Sequence, residues 1–207
     1  MNRMGHRLQA PAPEGGASST AKEDASAAPA PRGIPSLRGH DHTGITVPDL
    51  EAAIRFFVDV IGCELISTFG PFRDDSGSFM ADTLDVHPRA VIHQIALLRC
   101  GMGSNIELFQ YSAPDQRNDI PKNSDIGGHH LAFYVDDIDT AVAYLKAQGV
   151  RVLAGPLPVT EGPAAGQIIN YFLAPWGLQL ELISYPRGMA YEATARTVLW
   201  SPKSPDK

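Results

Sequence analysis

Residues 42–51 read HTGITVPDLE, and residues 130–139 read HLAFYVDDID. The two stretches align without gaps, 88 positions apart, and each begins with a histidine. Apolar residues recur along the run after that histidine, which is typical of a strand. An aspartate, Asp49 or Asp137, then stands where a helix would be capped. The chain therefore contains an internal repeat, and each copy is predicted to open as a strand followed by a helix.

The two copies also continue alike. Each predicted helix has apolar residues spaced by three and four and ends at a glycine, Gly62 or Gly149, as expected for a left-handed C-terminal cap. Three strands are predicted after each helix, over residues 63–66, 90–98 and 106–111 in the first copy and 150–153, 167–173 and 180–185 in the second. Each copy is therefore predicted to be a βαβββ module.

The ends of the chain differ from its centre. Residues 1–39 are dominated by alanine, proline, glycine and serine, and such a segment buries too little apolar surface to offset its ordering entropy. We expect a disordered tail there. The folded domain is expected over residues 40–186, with module one at about 40–114 and module two at about 128–186. Residues 187–207 form a C-terminal extension.

Composition excludes several kinds of partner. Only 19% of the 207 residues are charged, the net charge is −6, and no long run of like charges occurs. This is not the electrostatic footprint of a nucleic-acid-binding protein. No apolar stretch approaches the roughly 20 residues that span a bilayer. We expect a cytoplasmic protein, and in that reducing compartment Cys63 and Cys100 are expected to be free thiols.

One glutamate stands in the last predicted strand of each copy. Glu107 lies between Ile106 and Leu108, and Glu181 between Leu180 and Leu182. Strand alternation alone can place such a carboxylate on a solvated face. A buried carboxylate, by contrast, needs a partner, because burying the isolated charge is costly. Both glutamates recur in register with the histidines that open the two copies, so one shared divalent cation explains all four residues.

Four stretches together resemble the vicinal-oxygen-chelate superfamily, which includes glyoxalase I, methylmalonyl-CoA epimerase, extradiol dioxygenases and bleomycin-binding proteins. They are HTGITVPDLEAAIRFF, NIELFQY, GGHHLAFYVDDIDTAVAYL and PWGLQLELISYP. The resemblance implies an α+β fold in which two tandem βαβββ modules form curved mixed sheets around a metal site. It also implies a homodimer.

The same resemblance implies a set of metal ligands. They are His42, Glu107, His130 and Glu181, in preference to the neighbouring Asp41 and His129. Two imidazoles and two carboxylates accept one divalent ion, such as Zn, Ni, Co, Mn or Fe.

The expected activity is that of a metal-dependent epimerase or isomerase/lyase. Its small-molecule substrate would carry adjacent oxygens, as in an α-hydroxy ketone, a hemithioacetal or a sugar-like ketone, and would react through a metal-stabilised enediolate. The resemblance implies that Glu181 is the base, and Glu107 would return the proton. His93 is a further candidate acid or base, with an ordinary strand histidine as the alternative. Gln94 would take the same face if the register were shifted by one.

Two other functions compete with this one. An Fe(II) extradiol-type dioxygenase needs two histidines, one carboxylate and open coordination positions. A non-catalytic small-molecule binding or resistance protein needs no metal. The segment 69–89 is long for a connection, which is typical of binding loops. Expected substrate-pocket residues are Phe69, Phe72, Arg73, Met80, Tyr171 and Trp176.

Overall fold

The computed structural model describes residues 33–206, and the predicted disordered tail therefore falls largely outside the described residues. Each of the two copies forms one five-stranded mixed sheet with a helix packed on one face. The predicted α+β fold of two βαβββ modules is confirmed, with one additional two-residue strand in each copy. No helix within residues 33–206 is long and apolar enough to cross a membrane.

The first sheet has the strand order β1-β5-β4-β2, and the short strand β3 pairs with β4. Its strands are β1 (His42–Thr46), β2 (Glu64–Phe69), β3 (Phe72–Arg73), β4 (Val91–Arg99) and β5 (Asn105–Ser112). A short helix, α2 (Phe79–Leu84), lies between β3 and β4. Strand β1 is parallel to β5, and the other pairs are antiparallel. The edge strand β1 therefore lies beside the strand that carries Glu107.

The second sheet repeats this topology with the order β6-β10-β9-β7, and β8 pairs with β9. Its strands are β6 (Leu131–Tyr134), β7 (Arg151–Val152), β8 (Leu157–Pro158), β9 (Ile168–Leu173) and β10 (Gln179–Ser184). Strand β6 is parallel to β10, so the edge strand again lies beside the strand with the glutamate. A short 3₁₀ helix, Ala190–Ala193, follows in the C-terminal extension.

The helix of the first module begins and ends where its sequence predicts. Helix α1 (Leu50–Arg55) is capped by Asp49, whose side chain accepts a hydrogen bond from the Ala52 N–H, and it continues as a π-helical segment, Phe56–Ile61. Gly62 ends it with φ +89°, which only glycine adopts without strain. Phe57 is fully buried in the main core, a contribution of about 1.5–3 kcal/mol for a side chain of this size.

The helix of the second module, α3 (Ile138–Ala147), buries Ile138, Val142 and Leu145 in the same core. Its N-cap is Asp137, whose carboxylate accepts hydrogen bonds from the Asp139 and Thr140 N–H groups and from the Thr140 hydroxyl. These bonds hold the pKa of Asp137 below its ordinary value, and the bond from the Thr140 hydroxyl has the largest effect. The cap therefore stabilises α3 only while Asp137 is ionised.

Replacing Asp137 with alanine is expected to lower the melting temperature, and the size of the decrease should depend on pH. Because the folded-state pKa is depressed, the stabilisation is fully present above the ordinary aspartate pKa. It is lost as pH falls through the folded-state value. Thermal unfolding of the wild type and of Asp137→Ala from pH 7 to pH 3 checks this, with Asp119→Ala, an exposed linker aspartate, as the control. A difference in melting temperature that stays constant down to pH 3 would contradict the capping role.

The two cysteines form a disulfide, and the prediction of free thiols is wrong. Glu64, the first residue of β2, lies opposite Arg99, the last residue of β4. Cys63 directly precedes β2 and Cys100 directly follows β4, so the two cysteines face each other. They are bonded, with Cα atoms 4.3 Å apart. Their separation of 37 residues hides this proximity in the sequence, because it depends on the register of two strands.

Candidate metal and acid–base site

The register of the strands places each predicted glutamate on a defined sheet face. Glu107 lies between Gly44 on β1 and Leu97 on β4, and residues directly opposite one another share a face. The helix packs on the other face, which buries Ile106 and Leu108. Alternation along β5 thus buries the apolar neighbours in the core and leaves Glu107 on the face away from the helix.

The same alternation operates in the second module. Glu181 lies between Ala132 on β6 and Tyr171 on β9, whereas Leu180 and Leu182 point into the core. The Glu181 side chain is only 8% exposed, compared with 19% for Glu107. The two glutamates therefore occupy equivalent positions, and the second is the more deeply buried.

Each glutamate contacts the histidine of its own module. His42 Nε2 lies 3.3 Å from Glu107 Oε2, and His130 Nε2 lies 2.9 Å from Glu181 Oε2. The structure thus places the four predicted ligands in two separate imidazole–carboxylate pairs, one on each sheet. Within residues 33–206, no three histidine, cysteine, aspartate or glutamate side chains converge at metal-ligand spacing.

Burial and charge set the acid–base properties of the pairs. Burial raises the pKa of Glu181, and the adjacent His130 offsets part of that effect. For His42, the hydrogen bond to Asp41 is the main cause that raises its pKa, with smaller contributions from the charges of Glu107 and Asp41. A carboxyl group with a raised pKa is a better proton acceptor than an exposed one once it is ionised.

Asp41 has a role that the sequence alone did not reveal. Its carboxylate lies 2.8 Å from His42 Nδ1, so that ring nitrogen is occupied and Nε2 is left to face Glu107. A carboxylate that fixes the second nitrogen of an imidazole is the usual outer partner of a metal-ligating histidine. The signal in the sequence was the acidic residue directly before His42.

The donor atoms of the two pairs are of the types that bind a divalent metal ion. Each pair offers one imidazole nitrogen and one carboxylate oxygen, the donor types that Zn, Ni, Co, Mn and Fe(II) accept. The Glu181 carboxylate is buried beside the His130 ring, and a buried carboxylate of this kind is stabilised by a cation. Each pair is therefore suited to supply half of a four-ligand site.

His93 lies on the other side of the sheet from Glu107. Strand β4 has a bulge at this position, because Ile92 lies opposite Tyr111 whereas Gln94 lies opposite Gln110. The His93 Nε2 lies 2.8 Å from the hydroxyl of Ser112. Because side chains alternate along β5, Ser112 lies on the sheet face opposite to that of Glu107. Gln94 shares the face of Gln110, whose side chain binds the Leu50 N–H on the helix side. The structure therefore brings neither His93 nor Gln94 to Glu107.

The expected pocket residues are dispersed. Tyr171 faces Glu181, and its ring contacts the ring of His130 edge to face, with centroids 5.4 Å apart. Trp176 packs against Phe56 and Phe57 at the core. Tyr171 is thus the expected pocket residue that the register and ring contacts place directly beside two of the predicted ligands, Glu181 and His130.

The other four come from the long segment. Phe69 and Phe72 contact each other and are partly exposed, and Arg73 pairs with Asp75. Met80 is fully buried on helix α2 (Phe79–Leu84), which the sequence analysis did not predict. Met80 packs with Ile92, Ile95, Phe109 and Tyr111, so the long segment covers part of the face that carries Glu107.

The C-terminal extension reaches the second pair. The Tyr185 hydroxyl lies 2.8 Å from the Ser201 hydroxyl, and Lys203 Nζ donates to the Tyr185 carbonyl. This places Trp200 in the wall of a groove of about 370 Å³ that also includes His130. The extension therefore forms part of the surroundings of His130.

Comparison with known proteins identifies the family. Residues 41–171 match the model of the Glyoxalase/Bleomycin resistance protein/Dioxygenase superfamily. A 2-epi-5-epi-valiolone epimerase from Actinomyces sp. is 49% identical over 173 residues, which cover 83% of this chain and 93% of that protein. The human mitochondrial methylmalonyl-CoA epimerase is 30% identical over 148 residues, covering 72% of this chain and 73% of that protein.

The fold likewise matches a solved structure. A glyoxalase family protein from Bacillus cereus superimposes with a TM-score of 0.56 at 23% identity, covering 72% of this chain and 94% of that one. The likeness in fold and the family match agree with the βαβββ repeat. This chain belongs to the glyoxalase/bleomycin resistance protein/dioxygenase superfamily.

Proposed function

We propose that this protein is a metal-dependent epimerase that inverts the carbon next to the carbonyl of a small, polyhydroxylated cyclic ketone. The observation that carries the proposal is the pair of shielded carboxylates at equivalent positions of two modules, each held by a histidine. Epimerisation needs one group to remove a proton and a second to return it to the opposite face. The similarity to a 2-epi-5-epi-valiolone epimerase over most of both chains supports this substrate class.

The two carboxylates differ in a way that suits two roles. Glu181 is the more buried, and burial raises its pKa, so its ionised form is the stronger base toward a carbon-bound proton. Glu107 is more exposed than Glu181. It lies near Tyr111, and burial together with the charge of Glu107 raises the pKa of the Tyr111 hydroxyl. We assign proton removal to Glu181 and proton return to Glu107.

The histidines and Asp41 position these carboxylates. His130 holds Glu181 and is itself held by the edge of Tyr171, whereas His42 is fixed between Asp41 and Glu107. A divalent ion held by the four ligands would act as a Lewis acid toward the adjacent oxygens of the substrate. The buried surroundings of Glu181 exclude water from the base, which preserves its basicity.

The assay is conversion of 2-epi-5-epi-valiolone, followed by NMR, by protein as purified, by protein treated with chelator, and by protein with Zn, Ni, Co, Mn or Fe(II) restored. We expect loss of turnover on chelation and recovery with at least one metal. Methylmalonyl-CoA and the methylglyoxal–glutathione hemithioacetal serve as comparison substrates. Turnover that is indifferent to chelation would contradict the metal requirement, and turnover of a comparison substrate alone would contradict the substrate class.

We further propose that the protein acts as a homodimer in which the His42–Glu107 pair of one chain and the His130–Glu181 pair of a second copy share one ion. Each pair lies on a different sheet, and both histidines stand at the start of an edge strand, β1 or β6. Edge strands leave room for a second chain to bring a complementary half-site alongside, and a two-fold axis would create two equal sites.

Co-expression of two inactive chains tests the shared site. His42→Ala and His130→Ala are expected to be inactive separately. A heterodimer purified through two different tags would hold one intact site of two and should recover about half of the wild-type activity. The control is a heterodimer in which one chain carries both substitutions and the other is wild type, because its activity should be lost if sites are shared. Activity in that control with none in the first heterodimer would place each site within one chain.

A further inference from the structure

A cavity of about 860 Å³ lies on the Glu107 face of the first sheet. Its floor is formed by Gly44 and Thr46 of β1 and by Phe109 and Tyr111 of β5. Gly44 is the register partner of Glu107, and Thr46 is the partner of Phe109. Because alternate residues of a strand point to the same side, the floor and Glu107 belong to one surface.

The floor is aromatic. The rings of Phe109 and Tyr111 are 5.6 Å apart between centroids and inclined by 34°. Gly44 keeps this floor open, because a Cβ atom there would lie 3.3 Å from the Phe109 ring. The part of this aromatic surface that lines the cavity suits the C–H face of a non-planar carbon ring.

The rim is polar and comes from two segments that contain none of the four predicted ligands. Residues 85–88 follow helix α2 and contribute Asp85 and His87, and residues 115–117 follow β5 and contribute Asp115 and Arg117. The rim thus offers two carboxylates and one guanidinium besides the imidazole. A predominantly acidic rim suits hydroxyl groups and disfavours a ligand with several phosphates.

The His87 ring is held in one orientation. Its Nδ1 accepts the Arg89 N–H at 3.0 Å, so the neutral ring carries its proton on Nε2. The Arg89 guanidinium is in turn bound to the carbonyls of Asp74 and Gly77 in the loop before α2. These contacts fix the His87 side of the rim. The hydrogen bond from Arg89 occupies Nδ1, and the Nε2–H group of His87 takes no part in it.

We propose that this cavity binds the polyhydroxylated ring of the substrate, with the ring over Phe109 and Tyr111 and its hydroxyls bonded to His87 and Arg117. His87 and Arg117 then determine specificity for a neutral polyol over a coenzyme A thioester, and they act in binding rather than in proton transfer. The inference rests on the proposed function, because it assigns the binding surface for the same reaction beside Glu107.

The test compares His87→Ala and Arg117→Ala with Arg55→Ala. Arg55 is a matched control because it is an exposed arginine of helix α1 that pairs with Glu51 and lies outside the cavity lining. Loss of a hydrogen bond to a substrate hydroxyl should raise KM for 2-epi-5-epi-valiolone about tenfold, with kcat within about twofold of wild type. Arg117→Lys should recover part of the loss, and Arg55→Ala should have the wild-type KM.

Calorimetric titration of the same proteins with 2-epi-5-epi-valiolone separates this inference from the proposed function. Binding by the wild type that weakens about tenfold in both rim variants supports the cavity even if no epimerisation is found, in which case the proposed function alone fails. Unchanged KM and affinity in both rim variants would overturn the cavity while leaving the epimerase intact. An equal effect of Arg55→Ala and Arg117→Ala would also overturn it, as would a wild-type protein that does not bind the ketone.

Discussion

Replacing Glu181 with glutamine is expected to lower kcat/KM for the cyclic ketone by about 1000-fold or more, because removal of a general base costs 100- to 10,000-fold. Glutamine has the same shape but neither accepts the carbon-bound proton nor supplies an anionic ligand. Circular dichroism and thermal unfolding of Glu181→Gln should stay close to the wild type, because the substitution leaves the packing around Leu180 and Leu182 unchanged. The measurement is steady-state turnover followed by NMR.

Two comparisons make this result specific. Glu64→Gln changes an exposed glutamate on β2 and should retain wild-type turnover. Metal content measured by mass spectrometry on the same samples distinguishes loss of the base from loss of the ion. Turnover of Glu181→Gln within about tenfold of the wild type would remove Glu181 as the base, since a general base typically contributes about 100- to 10,000-fold.

Loss of the Cys63–Cys100 disulfide is expected to lower the free energy of unfolding by about 2–4 kcal/mol, because the bond closes a long loop and restricts the unfolded chain. The two residues are 37 positions apart and connect the start of β2 to the end of β4. Urea unfolding of the wild type and of the double variant Cys63→Ala/Cys100→Ala measures the difference.

Reducing agent supplies the control. It should destabilise the wild type to nearly the level of the double variant and leave the double variant unchanged. Alkylation of unfolded protein without reductant should label no cysteine of the wild type. Two labelled thiols, together with an unfolding transition that reducing agent does not move, would contradict the disulfide.

The repeat made most of the fold predictable. Residue types with local effects indicated where elements begin and end: Asp49 and Asp137 cap helices, and Gly62 and Gly149 adopt positive φ after them. The pairing of each histidine with the glutamate of its own module was not derivable from spacing alone. The recurrence of both residues in the same places of two copies predicted four residues around one shared ion, whereas the pairing within each module depends on the register of β1 with β5 and of β6 with β10.

Features that depend on the register between strands far apart in the sequence were not predicted. The bulge in β4 turns His93 toward Ser112, and nothing local in AVIHQIALL marks it. The cross-strand disulfide depends on the pairing of β2 with β4 in the same way. Helix α2 is only six residues long, too short for a periodic pattern, and its burial depends on the fit of Met80 to the sheet.

Hydrogen exchange during epimerisation in D₂O tests the central claim most directly. Wild-type protein converting 2-epi-5-epi-valiolone should place deuterium at the inverted carbon, because the returned proton comes from a carboxyl group in equilibrium with solvent. Glu107→Gln should exchange that hydrogen without inverting the carbon, and Glu181→Gln should do neither. Inversion by the wild type without deuterium at that carbon, or full inversion by Glu107→Gln, would contradict proton transfer between two carboxylates.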